Sequence, residues 1–293
     1  MRKIPGHGRK LTYYDFGATT TYAAASDARC AWCAYVPESY DEDGDQSYPL
    51  AVIVHGTERG MHYYRTAFTD FAEAHQVIVL CPLFPVNLAF PGDLSSYKIL
   101  RYEDIHYDRI MLGMIDEAQE KWRIAGDRVM MYGFSGGGHF THRFLYLYPE
   151  RLLAAAVGAP GIVTLLDDRH DFWVGTRDLK ERFGRAADME AIAQVPVLLI
   201  AGADDTDTWE ITIKKDDPWW MEGADLAGAN RVARITALTE SLKRAGVSAE
   251  LTLVPGQRHD DRELIPLVKE FFARQLDRSQ TAAAPRSATN MET

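Results

Sequence analysis

The chain is poor in the features that mark several protein classes. It has only three cysteines in 293 residues, an odd and small number that builds no disulfide framework. Cys30 and Cys33 form a Cys-x-x-Cys within Arg-Cys-Ala-Trp-Cys-Ala-Tyr-Val, which reads as a strand. Residues three apart on a strand point to opposite faces, so neither a metal site nor a redox pair is expected. No run approaches the roughly 18 to 20 apolar residues that cross a bilayer. The basic start, Arg2, Lys3, Arg9 and Lys10, lacks the apolar stretch that follows in a signal peptide. A cytoplasmic chain with no membrane partner is expected. Cations are outnumbered too: 32 Lys and Arg against 42 Asp and Glu leave a net charge of −10. Without a Lys and Arg cluster, nucleic acid is not an expected partner.

What remains is a chain able to bury a large core, 46% hydrophobic and 25% charged. Residues 50–54, 77–80 and 195–201 are apolar runs rich in β-branched residues. Such runs fit strands covered on both faces, as in parallel sheets. Residues 128–132, 153–157 and 249–254 read as further strands, and 61–75, 107–122, 136–147, 233–245 and 262–275 as helices. In the second of these helices Ile110, Met114, Ile115 and Ala118 fall on one side. The alternation predicts an α/β fold with a mainly parallel sheet and helices on both faces. Strand-like text before residue 36 suits antiparallel N-terminal strands. One domain over 11–276 is expected, with a flexible start at 1–10 and a disordered tail at 277–293. Insertions near 162–194 and 204–230 exceed ordinary connections and predict a small cap.

The sharpest motif is Gly133-Phe134-Ser135-Gly136-Gly137, a G-x-S-x-G between an apolar strand and a helix. That is where a nucleophile elbow must sit, and the glycines relieve a turn that strains its serine. The Gly136 N–H opens the helix and can bind an oxyanion. Serine needs a base, and the base an orienting acid. His259, in the loop after the last strand, is the candidate base. Asp205 is the chosen acid from the cluster Asp204, Asp205 and Asp207, which follows a buried strand. His139 and His142 lie on the helix leaving Ser135 and are assigned structural roles. His55 is expected to shape its own loop. Thr57, after His55-Gly56, is the candidate second oxyanion donor, with Glu58 behind it.

Together these segments resemble the α/β-hydrolase superfamily. The residues that carry the resemblance are Tyr35-Val-Pro, Leu50-Ala-Val-Ile-Val-His-Gly, Asp127-Arg-Val-Met-Met-Tyr-Gly-Phe-Ser-Gly-Gly-Gly, Tyr148-Pro-Glu, Val195-Pro-Val-Leu-Leu-Ile-Ala-Gly-Ala-Asp-Asp and Pro255-Gly-Gln-Arg-His. The chain is similar to a serine esterase group that includes feruloyl esterases, polyhydroxyalkanoate-depolymerase-like enzymes and dienelactone-hydrolase-like proteins. The resemblance implies the order Ser135, Asp205, His259 and a small-molecule ester or lactone substrate, with no cofactor and no metal. Phe134, Tyr63, Trp209, Trp219 and Trp220 are the expected lining of an apolar pocket, and an uncharged, fairly hydrophobic substrate is expected. An amidase or peptidase would use the same triad. A binding protein on the same fold, without catalysis, is the other class.

Overall fold

The computed structural model describes residues 11–283. The expected flexible start at 1–10 lies outside them, as do residues 284–293 of the expected tail. In chain order the strands are β1 (Gly17–Ala18), β2 (Tyr22–Ala23), β3 (Ala31–Val36), β4 (Leu50–Val54), β5 (Ile78–Leu83), β6 (Arg101–Tyr102), β7 (Ile105–His106), β8 (Val129–Phe134), β9 (Leu152–Gly158), β10 (Val197–Gly202) and β11 (Ala249–Val254). The helices are α1 (Met61–Ala67), α2 (Thr69–His75), α3 (Tyr107–Lys121), α4 (Gly136–Leu147), α5 (Leu179–Phe183), α6 (Met189–Ala193), α7 (Arg231–Arg244) and α8 (Ile265–Ala283).

The main sheet runs β1-β3-β5-β4-β8-β9-β10-β11, with β2 also on β3. Every neighbouring pair from β5 to β11 is parallel, and β1, β2 and β3 supply the antiparallel margin. The apolar runs explain this: each residue of β4, β8 and β10 is buried, so those strands must be central and covered twice. From β4 the chain goes one way to β5 and later returns on the other side as β8. Loops leaving β4 and β8 therefore diverge, which opens a crevice at the strand ends. This is the α/β-hydrolase fold, with the antiparallel start that the sequence predicts.

Four expectations are corrected. The helix expected over 61–75 is two helices, broken at Phe68 (φ −102°, ψ 8°). The fully buried Phe68 ring turns onto Tyr132 and Phe71, and apolar spacing continues across so short a break. The helix expected over 262–275 starts at Ile265, and residues 277–283, expected to be disordered, are its last turns. Thr281 and Ala282 follow the buried Leu276, and alanine sustains a helix already anchored. Cys30 lies just before β3, not on it; it and Cys33 are both buried thiols. No helix among the described residues is long and apolar enough to cross a membrane.

Helix α4 is unusual in having all its residues buried. Its inner face packs on the sheet, while residues of the 159–196 insertion cover the outer face: Tyr146 Oη donates to the Thr164 carbonyl at 2.8 Å, and Arg143 Nε to Thr164 Oγ1 at 2.9 Å.

Candidate active site

Ser135 sits between β8 and α4 with φ 55° and ψ −113°, a conformation that L-residues adopt only under constraint. Close packing supplies the constraint. A Cβ at Gly133 would collide with the Gly137 backbone, and one at Gly137 with the Val54 carbonyl. The Ser135 N–H donates to the Gly158 carbonyl at 2.8 Å and pins the turn to β9.

Sheet register brings the other two groups in. Gly202 at the end of β10 pairs with Val254 at the end of β11, so both loops leave the same sheet edge. Ala203 N–H then donates to Val254 O at 2.8 Å, and Asp204 N–H to Gln257 O at 2.9 Å. Asp205 and His259 end up facing each other. His259 Nδ1–H donates to Asp205 Oδ2 at 2.6 Å, and Ser135 Oγ–H to His259 Nε2 at 3.0 Å. Asp205 is 1% exposed, whereas Asp207 pairs with Arg258 on the surface and Asp204 is exposed. The geometry thus selects one carboxylate from the cluster of three.

A partner of that carboxylate was not foreseen. Arg231, at the start of α7 and itself buried, donates through Nη1 to Asp205 Oδ1 at 3.4 Å and through Nη2 to Glu210 Oε2 at 2.5 Å. A carboxylate held out of water needs such a counter-charge. Nothing in the local sequence marks Arg231 except its place one residue after the capping Asn230, whose side chain accepts from Ala233 N–H.

Thr57 follows β4 and Gly136 opens α4 next to Ser135, and neither N–H has a hydrogen-bond partner among the described residues. Gly136 N–H belongs to the first turn of α4, where no acceptor exists within the helix. The Thr57 loop is held by Arg59, which donates to the carbonyls of Thr57 (2.6 Å), Phe84 (3.1 Å) and Leu94 (3.0 Å). His55 shapes it as expected. Its Nδ1–H donates to Gly56 O at 2.8 Å, and its Nε2 accepts from Phe84 N–H at 2.9 Å. Complete burial keeps this ring neutral, its pKa pushed down to about 3. His142 does likewise between Gly138 O and Thr164 N–H, and burial again lowers it to about 3. His139 accepts from Ile162 N–H at 3.0 Å, which ties α4 to the first insertion.

Two cavities meet at Ser135. One, of about 440 Å³, lies on the His259 side and includes Tyr63, Tyr64, Phe134 and Asp261. The Phe134 ring stacks on His259 at 4.7 Å, and Tyr63 Oη donates to Asp261 at 2.9 Å. The other, of about 220 Å³, lies under the insertions and includes Lys98, His139, Arg143, Trp173, Trp219 and Arg231. Trp219 therefore reaches the site, and Trp173 Nε1–H donates to its carbonyl at 2.9 Å, joining the two insertions. Trp220 lines a separate cavity farther out, and Trp209, 80% exposed, lines neither cavity at Ser135. The purely apolar pocket expected from the tryptophans is corrected accordingly. The insertions bring Glu210 and Asp217 to this cavity together with Ile162, Ile211 and Trp219, while Lys98, Arg143 and Arg231 reach it from the turn at 96–99, from α4 and from the start of α7. Lys98, Arg143 and Arg231 are the residues that sequence reasoning missed.

No family model matches the chain, and no curated protein matches it. Solved structures do. A poly(3-hydroxybutyrate) depolymerase from Bordetella parapertussis superposes with a TM-score of 0.69 at 21% identity, over 89% of this chain and 93% of that one. Poly(aspartic acid) hydrolase-1 from Sphingomonas sp. KT-1 gives 0.63 at 21% identity, over 84% and 92%. An S-formylglutathione hydrolase from Agrobacterium tumefaciens gives 0.57 at 16% identity, over 90% and 96%. These likenesses place the chain among structures with the α/β-hydrolase fold.

Proposed function

We propose that the protein is a serine hydrolase that cleaves a carboxylic ester or lactone through an acyl-enzyme on Ser135. The observation that carries this reading is the unbroken line from Ser135 Oγ to His259 Nε2 (3.0 Å) and from His259 Nδ1 to Asp205 (2.6 Å), ending on a strained serine. As Ser135 Oγ attacks the carbonyl carbon, its proton passes to His259 Nε2. Asp205 holds the ring with Nδ1 protonated and offsets the charge that forms. The Thr57 and Gly136 N–H groups bind the oxyanion between them. The C–O bond then breaks, and His259 gives its proton to the departing alcohol. Water, losing a proton to the same nitrogen, releases the acid and restores Ser135.

The depolymerase and S-formylglutathione hydrolase among the structural neighbours support this class by the chemistry in their names. The poly(aspartic acid) hydrolase keeps amide cleavage as the competing reading. A graded panel of esters, lactones and amides, with Ser135→Ala as control, tests the proposal. Ester or lactone turnover that falls by roughly 10⁶-fold in the variant is expected. Full turnover by Ser135→Ala contradicts the mechanism, and faster amide than ester turnover moves the protein to the amidase class.

A further inference from the structure

Of the three cations that line the cavity under the insertions, only Arg231 is matched by carboxylates, Asp205 and Glu210. Arg143 is 1% exposed, yet it bonds to no carboxylate among the described residues. Its Nε donates to Thr164 Oγ1 at 2.9 Å and its Nη1 to the Lys98 carbonyl at 2.7 Å, while the Phe172 ring centre lies 5.5 Å from its Cζ. Its Nη2 has no hydrogen bond among the described residues. Among the described residues Lys98 hydrogen-bonds only to a hydroxyl, Ser95 Oγ at 3.2 Å.

Two acids, Glu210 and Asp217, line the same cavity and Asp93 lies close to Lys98, but each also has a partner of its own. Glu210 is held by Arg231, Asp217 accepts from Trp219 N–H, and Asp93 accepts from the N–H groups of Ser95 and Ser96. Arg59 adds a further positive charge near Lys98. Burial and the charges of Arg59 and Arg143 outweigh the opposing pull of Glu210 and Asp93 and lower Lys98 to about 8, and burial lowers Arg143 to about 9. Unpaired charges held away from water are costly, and an anion entering this cavity would relieve both.

The position of His259 says which part of a substrate enters. The imidazole must protonate the leaving oxygen, so the alcohol leaves on the His259 side. The acyl chain then occupies the opposite cavity. Its volume of about 220 Å³, half that of the cavity beside His259, suits a short acyl chain with one terminal charged group.

We infer that the acyl part of the substrate ends in a carboxylate received by Arg143 and Lys98, so that the substrate is a half-ester of a short dicarboxylic acid. The inference rests on the acyl-enzyme reading above for the orientation of the chain. Hydrolysis breaks the ester C–O bond, transfers the acyl group to Ser135 Oγ and, after attack by water, releases alcohol and dicarboxylate.

The test has two arms. In the first, kcat/KM is measured by acid release for monoethyl glutarate and for ethyl pentanoate, which have equal acyl length. We expect the half-ester to be favoured roughly 30-fold, the gain of one charge-assisted hydrogen bond. Lys98→Met should reduce that ratio at least about tenfold, and Lys98→Arg should retain most of it. The second arm needs no turnover: glutarate should raise the Tm of the full chain, glutaramide at equal ionic strength should not, and Lys98→Met should abolish the rise. Equal turnover of the two esters, or a half-ester preference that survives Lys98→Met, overturns the inference and leaves the esterase reading intact. Stabilisation by glutarate with neither ester hydrolysed supports the anion site and rejects the esterase reading. No stabilisation and no turnover rejects both.

Discussion

The two cavities that meet at Ser135 are built by different means. The one beside His259 is made mainly by α1 and the loops at the ends of β4, β8 and β11, and it holds His259 and the proposed donor Thr57. The one under the insertions draws on α4, the 159–196 and 203–230 segments and the turn at Ser96–Ile99, and its charged groups touch none of the triad except through Arg231. The first must keep fixed distances because proton transfer requires them. The second needs only a shape and a charge. Reaction type and substrate choice are therefore separable, and substitutions should separate them.

The largest effect is expected on the His259 side. Asp205→Asn should lower kcat by about 10⁴-fold, while Asp207→Asn, which removes only a surface pair with Arg258, should change it less than about twofold. Steady-state kinetics on one neutral ester checks both, and the reverse ranking would move the acid to Asp207. Arg231→Met is next, because it bridges the two regions. It leaves the buried Asp205 without its counter-charge and should cost about 3 kcal/mol, a fall in Tm of roughly 6 to 10 °C by calorimetry. An unchanged Tm would mean that Asp205 needs no such partner.

A smaller effect concerns pH. Lys98, which faces Arg59, Arg143, Glu210 and Asp93, loses its charge at about 8. Because the protonated form is the one that attracts a carboxylate, the half-ester preference should be full near neutrality and decline as pH rises through about 8. The kcat/KM for a neutral ester should not follow that decline, and parallel profiles would remove Lys98 from recognition. The smallest effect is expected for Trp209→Ala. With its side chain in solvent, stability should shift by less than about 0.5 kcal/mol, and neither substrate's kcat/KM should move more than about twofold.

The same division explains what could be read from the chain. Central strands announced themselves as apolar runs, and the nucleophile turn as glycines that packing makes obligatory. His259 and Asp205 were legible as candidates because each lies in a loop a few residues after a strand. Of the three aspartates, Asp205 is the one within hydrogen-bond distance of His259, while Asp204 and Asp207 are exposed. Lys98, Arg143 and Arg231 were not legible, because residues far apart in sequence become one cavity only after the insertions fold over α4. One signal was present: Ser135, His139 and Arg143 recur at intervals of four, which places them along one side of a helix. Trp209 and Trp220 misled for a related reason, whereas Trp219 does line the cavity at Ser135. Aromatic composition shows that a segment has something to bury, but not which of its rings the fold leaves outside.

The central claim is that Ser135 is the attacking group, and peptide mapping after treatment with a fluorophosphonate tests it most directly. A single covalent adduct is expected on the peptide that contains Ser135, with loss of ester turnover in proportion to labelling and no adduct in Ser135→Ala. Undiminished turnover of a fully labelled protein, or an adduct on a different serine that tracks the loss of activity, would contradict it.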